Sequence, residues 1–355
     1  MLVLGRLVPV ADYAAFGAGI VYGGLLVVFV AFGNDTLLAR RCLEQPQSAS
    51  VASIARGVLV LAFALCLAVA FPLSTVVGGV YLASTALQQR FYFEARERQG
   101  TFNVLGLAEK ILMLAAVFVL TRQYPDDSDY VFWMLLFVRL GGGLLLSSWV
   151  ISREGLPGTR AGYVAAVGEQ LGNGAAFTLQ FALMQAAAIV LTRIEPESSL
   201  AAFTATSQIG AGLLAVVTQF QRPRIFRYLS GEAAIRREVG LSLAVTVGAL
   251  GAVLAAKGVI STVFPLVDWM LLAVFALQAV VFSLIHPFEL RAFATGNVPA
   301  WTLLTSAVIA GSASLAAAGY VGFSAVPVGA MLGQILVFCL CRMWVATAAS
   351  RQAMR

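Results

Sequence analysis

Charged side chains are scarce in this sequence. Asp, Glu, Lys and Arg make up 11% of its 355 residues, less than half of the roughly 25% usual in a soluble domain. Such a chain has too little polar surface to cover a water-soluble fold, which excludes that class. There is one histidine, and the four cysteines are Cys42, Cys66, Cys339 and Cys341. They have no metal-ligand spacing, and no metal site is expected. Cys339 and Cys341 lie in an apolar run and read as core residues. No basic stretch and no cleavage motif mark a signal peptide at the start, so none is expected. Period-two alternation is also missing, which argues against a transmembrane β-barrel.

What the chain has instead is hydrophobic length. Hydrophobic residues make up 60%, and mean hydropathy is +0.89. Apolar runs near twenty residues recur, the length an α-helix needs to cross a bilayer. They predict an all-α polytopic membrane protein with eleven spans, at 13–33, 55–75, 76–95, 102–121, 130–151, 163–192, 199–220, 239–264, 267–286, 299–320 and 324–347. The split near Pro72–Thr75 is required by length alone, since one helix cannot absorb 57–95.

The formal net charge of +6 sits in short loops and reads as topology, not as affinity for nucleic acid. Alternate loops hold Arg40, Arg41 and Arg56; Arg96 and Arg98; Arg153 and Arg160; Arg222, Arg224, Arg227, Arg236 and Arg237; Arg291; and Arg342, Arg351 and Arg355. The other set holds little basic charge beyond Arg6, Arg122, Arg193 and Lys257, and carries the acidic Asp126, Asp127, Asp129, Glu195, Glu197 and Asp268. The positive-inside rule puts the first set, and the C-terminus, in the cytoplasm. Large basic loops follow the first and seventh spans. They stand six helices apart, the spacing of two six-helix repeats, and with one further helix ahead of Met1 they would follow helices 2 and 8. The expected organisation is an N-terminal lobe at 1–152, a cytoplasmic linker at 153–162 and a C-terminal lobe at 163–355, pseudo-symmetric around a central cavity.

Three stretches resemble a known family. The opening LGRLVPVADYAAFGAGIVYGGLLVVFVAFGNDTLLAR sets Leu4, Gly5, Tyr13, Phe16, Gly17, Phe32, Gly33 and Arg40 in a helix 1–turn–helix 2 pattern. AAFTATSQIGAGLLAVVTQFQRPRIFRYL places Ala205, Ile209, Pro223 and Arg227 in the equivalent second-half helix. ALQQRFYFEARERQGTFNVLGLAEKILML resembles the turn from helix 4 to helix 5. The pattern is similar to that of bacterial polysaccharide and O-antigen flippases of the multidrug/oligosaccharidyl-lipid/polysaccharide exporter superfamily. The resemblance implies that MLVLGRL is the tail of a first helix whose beginning is absent. It also implies a non-enzymatic, cofactor-free carrier in the bacterial cytoplasmic membrane, moving a polyprenyl-diphosphate-linked oligosaccharide for surface polysaccharide synthesis. Its partners would be that lipid-linked glycan, membrane lipid and a polysaccharide polymerase or glycosyltransferases. A cation-coupled multidrug exporter and a noncatalytic component of a polysaccharide assembly complex are the alternatives. A membrane glycosyltransferase would need a larger external loop or paired interfacial acids.

A diphosphate calls for cations in a polar cavity, and arginine's forked donors suit phosphate. Arg139, near the middle of the fifth span with no acid in its helix core, is the foremost candidate. It either lines a cavity or pairs across helices, and the adjacent Gly141, Gly142 and Gly143 allow bending or close packing. Arg90 is the second cation. The rest of its cluster, with Glu109 and Lys110, reads as a solvated face. Glu169, Asn173 and Gln180 share one helical face at offsets of four and eleven, and suit either a glycan or an interhelical clamp. Gln278 adds a glycan contact, while His286 and Glu289 are candidates for ion coupling or an interfacial cap. Gly19 and Gly23 form a G-x-x-x-G packing motif.

Overall fold

Proline, glycine and a few polar caps cut the apolar sequence into helices. The computed structural model describes residues 4–30, 42, 45–96, 98–124, 127–156, 182–183, 185–221, 235–294 and 300–353. All regular structure within them is helical. Among the described residues, eight segments are long and apolar enough to cross a membrane: Val10–Val27, Gln47–Ala70, Gly100–Gln123, Asp129–Glu154, Glu197–Gln221, Ile235–Ala255, Trp269–Glu289 and Leu304–Leu340. The last, at 37 residues, is too long for one crossing of about 20. Gly322, at φ +53°, divides it, and its two helices pack on each other as a hairpin. The protein has an all-α, polytopic membrane fold.

The chain divides into two compact units, Leu7–Phe181 and Ala182–Arg355 with Met1–Arg6. The short helix Leu4–Leu7 (α1) falls across the boundary between them in sequence. The first unit contains Val10–Val30 (α2), Gln47–Ala70 (α3), Leu73–Ala83 (α4), Arg90–Ala95 (α5), Gln99–Gln123 (α6) and Asp129–Glu154 (α7). Helix α3 stops where expected: Phe71 is extended, and Pro72 cannot continue the ladder. Its start is earlier than expected. It begins at Gln47, so Arg56 is not a loop residue but lies in the helix, 1% exposed. The third expected span is interrupted. A 3₁₀ segment, Ser84–Gln88, follows α4, and Gln89 adopts φ +54° before α5 begins.

Helices α2 and α4 meet through glycine. A Cβ on Gly19 would overlap the Thr75 carbonyl oxygen, and one on Gly78 would overlap that of Phe16. The G-x-x-x-G stripe therefore lets two backbones touch, which no larger residue permits. The start of α2 is tied to the loop before α7 by Ser128 Oγ donating to Asp12 Oδ2 at 2.7 Å.

The second unit contains Ala186–Ile194 (α8), Glu197–Gln221 (α9), Ile235–Ala255 (α10), Lys257–Val263 (α11), Trp269–Ala294 (α12), Ala300–Val321 (α13) and Ala325–Ala353 (α14). Asp268 caps α12, its Oδ1 accepting from the N–H groups of Met270 and Leu271 at 2.8 and 3.1 Å. The Asp268 N–H donates to Thr206 Oγ1 at 2.9 Å, which ties that cap to α9. Phe203 stacks on Phe323 with centroids 4.3 Å apart, anchoring the turn of the hairpin. Helix α12 does not end at His286 as expected but runs through Pro287. Apolar surroundings tolerate such a proline where packing stabilises the freed carbonyl. Cys339 is exposed, not a core residue.

Candidate functional site

Arg139 lies ten residues into α7, about 15 Å along the helix axis. It is 7% exposed. A bare guanidinium at that depth is costly, and α7 offers no carboxylate near it. The neutralising charge comes from α6: Arg139 Nη1 donates to Glu109 Oε1 at 2.5 Å. Glu109 is thus a correction to the sequence reading. It is not part of a solvated face but the partner of a buried cation, while its neighbour Lys110 is exposed. Gln88 holds the other carboxylate oxygen, its Nε2 donating to Glu109 Oε2 at 2.8 Å. Arg139 Nε donates to the Tyr81 carbonyl at 3.4 Å, and the guanidinium sits 4.9 Å over the Tyr81 ring. Nη2 makes no hydrogen bond among the described residues.

The interrupted helix explains why carbonyls are available here. A 3₁₀ turn changes the hydrogen-bond partner from four residues back to three, and the carbonyls at the change are left to side chains. Three of them are met from neighbouring helices. Tyr81 accepts from Arg139; Ala86 accepts from Arg56 Nη1 at 3.2 Å; Leu87 accepts from Ser147 Oγ at 3.4 Å. Gln89 Nε2 donates to Ser147 Oγ at 2.8 Å. Arg56 also lies 4.6 Å over the Phe91 ring. Of the three consecutive glycines in α7, only Gly143 serves close packing: a Cβ there would come within 2.8 Å of Leu87. Gly141 and Gly142 face open space.

Arg90 does not join Arg139. It is half-buried at the start of α5, 5.8 Å over the Phe102 ring. Phe102 and Glu109 are seven residues apart on α6, which sets the two cations about 10 Å apart along that helix.

In the second unit Gln278 is 7% exposed, and its Oε1 has no partner among the described residues. His286 Nδ1 and Glu289 Oε2 are 3.3 Å apart, and the imidazole stacks 4.3 Å from the Phe282 ring. Those two therefore form a pair. Glu169, Asn173 and Gln180 lie outside the described residues. The sequence reading missed a buried neutral network here. Gln221 Nε2 donates to Ser242 Oγ at 2.5 Å, and the Thr246 and Ser283 hydroxyls are also 2.5 Å apart. Single hydroxyls in an apolar helix carry no signal of their own. Glu109 did leave one: α6 and α7 form a tight hairpin, so a residue midway along each falls at similar depth.

No protein-family model matches the chain, and no curated protein matches it. Two solved structures do. Lipid II flippase MurJ in an inward closed conformation aligns with TM-score 0.59 at 12% identity, covering 98% of this chain and 85% of that one. A mutant of the Vibrio cholerae MATE transporter VcmN aligns with TM-score 0.56 at 15% identity, covering 98% and 91%. At such identities the likeness is one of fold.

Proposed function

We propose that this protein is a flippase that carries a polyprenyl-diphosphate-linked oligosaccharide across the cytoplasmic membrane for surface polysaccharide assembly. The observation that carries it is the Arg139 guanidinium, buried at mid-helix depth, with Nη2 unengaged and one carboxylate as counter-charge among the described residues. The fold shared with a flippase and with a MATE transporter supports membrane transport in general. In our mechanism a phosphate oxygen takes Nη2 and then displaces Glu109 from Nη1. The guanidinium passes from one anion to another and is never bare in a low-dielectric setting, and the Gln88 amide stays on the displaced Glu109 carboxylate, which offsets part of the cost of separating it from its cation. Gln88 keeps Glu109 in place to reclaim Arg139 once the substrate leaves.

Arg90 is proposed as a second cation for the diphosphate, and Glu169, Asn173, Gln180 and Gln278 as glycan contacts. His286 and Glu289 are proposed as a coupling pair. We propose two pseudo-symmetric lobes, 1–152 and 163–355, around a central cavity, with the linker 153–162 and the C-terminus in the cytoplasm. A cation-coupled exporter is the alternative, and the partly buried Glu109 carboxylate favours it.

The test is reconstitution in liposomes with a labelled polyprenyl-diphosphate sugar. Arg139→Ala should abolish transport at equal protein level, and Arg139→Lys should retain part, because the charge survives and the fork does not. Undiminished transport by Arg139→Ala would remove Arg139 from the site. Efflux of a lipophilic cation that needs Glu109 and not Arg139 would favour the exporter.

A further inference from the structure

At the end of the first unit where α7 finishes and α6 begins, Tyr92, Arg96, Arg98, Arg153 and Glu154 line a cleft of about 320 Å³. Its wall is built. Arg96 Nη2 lies 2.9 Å from both oxygens of Glu154, and Tyr92 Oη donates to Glu154 Oε1 at 2.5 Å. Burial and that hydrogen bond push the Tyr92 phenol above its ordinary pKa, so it stays a donor. Glu154 is thereby engaged on both oxygens and holds Arg96 in place. Among the described residues that line the cleft, three guanidiniums face one carboxylate and leave two positive charges. They fall to Arg98 and Arg153, neither of which has an acidic partner among the described side chains.

The surroundings say which medium the cleft faces. Leu145, Trp149 and Arg153 follow at four-residue steps on one face of α7. Leu145 is 73% exposed and Trp149 37%, and the Arg153 guanidinium lies 5.6 Å over the Trp149 ring. Tyr92 meets Trp149 edge-on at 5.8 Å. An apolar stripe ending in Trp and Arg is the pattern of a helix passing from acyl chains to headgroups. Two guanidinium forks lining one cleft there suit the oxygens of a phosphate.

We infer that this cleft binds the headgroup phosphate of an anionic membrane phospholipid, through Arg98 and Arg153, at a site separate from Arg139. The acyl chains would lie along the Leu145–Trp149 face. This is a site for resident lipid and does not depend on what the protein transports.

The test uses the full-length protein in detergent, titrated separately with phosphatidylglycerol, phosphatidylcholine and inorganic phosphate. Bound lipid is read by native mass spectrometry and the unfolding midpoint by thermal shift. Phosphatidylglycerol should be retained and should raise the midpoint, and phosphatidylcholine should do neither. Arg98→Gln with Arg153→Gln should weaken phosphatidylglycerol binding about thirtyfold, roughly fivefold per guanidinium near a membrane surface. Arg122→Gln, at the opposite end of α6, should leave it unchanged. Equal binding of the two lipids, or unchanged binding by the double variant, would overturn the proposal. So would inorganic phosphate stabilising the protein as well as phosphatidylglycerol at equal concentration, which would make this a site for free phosphate.

Discussion

The two units bury polarity in different ways. In the first, charge is inside: Arg56 is 1% exposed and Arg139 7%, and both reach carbonyls of an interrupted helix. In the second, the buried polar pairs among the described residues are neutral, Gln221 with Ser242 and Thr246 with Ser283, and Glu238, in the first turn of α10, is a buried charge. The difference teaches where rearrangement is cheap. The Thr246–Ser283 hydroxyl pair locks two helices, and what Gln221 leaves over is a neutral amide oxygen, not a charge. A guanidinium with an unengaged nitrogen and a single counter-ion can change partners, because each exchange replaces one favourable anion contact by another.

The comparison breaks most severely at the glycine contacts, which both units share. Gly19→Leu collides with backbone atoms of Thr75 and Gly79, and Gly311→Leu with the backbone of Leu183. Backbone cannot rotate away as a side chain can. Each change should cost more than about 3 kcal/mol and abolish the monodisperse peak in detergent size-exclusion chromatography. A folded Gly19→Leu protein would show that α2 and α4 do not touch.

The ion pair comes next. Arg139→Met or Glu109→Leu alone leaves a charge without its partner, at a cost of about 3 kcal/mol. The double variant should recover to within about 1 kcal/mol of wild type in thermal unfolding, yet remain unable to move a diphosphate-linked glycan. Recovery of transport together with stability would make the pair purely structural.

In the neutral unit, Ser283→Ala removes one hydroxyl of the Thr246 pair and should cost about 1 kcal/mol. A loss as large as that from the ion pair would erase the proposed contrast. Asp268→Ala removes the cap of α12 and should also cost about 1 kcal/mol, with Asp268→Asn restoring most of it. The smallest effects belong to glycines that face open space. Gly142→Ala in α7 and Gly248→Ala in α10 should each stabilise by about 0.5 kcal/mol, as alanine does in any unstrained helix interior. A clear loss at Gly142 would indicate that α7 bends there.

Much of the fold was legible because it is local. The break at Pro72 follows from proline's missing N–H, and the helices Gln99–Gln123, Asp129–Glu154 and Glu197–Gln221 coincide closely with uninterrupted apolar runs. The start of α3 was less clear, since Gln47–Arg56 is too polar for a bilayer span yet good enough as helix to extend one. Arg139 stood out because its charge has no local excuse; Glu109 did not, because Lys110 beside it suggested solvent.

By itself the sequence determined the membrane class, the all-α content and most helix limits, since hydropathy and backbone chemistry act over neighbouring residues. Tertiary structure alone decided that Arg139 meets Glu109, that Arg56 lies inside the unit, that Gly19 touches backbone while Gly142 touches nothing, and that Arg98 and Arg153 share a cleft. Those outcomes depend on the rotation and depth of each helix against its neighbours. A change of one residue turns a side chain by about 100° around its helix, so composition alone leaves such meetings open and packing settles them.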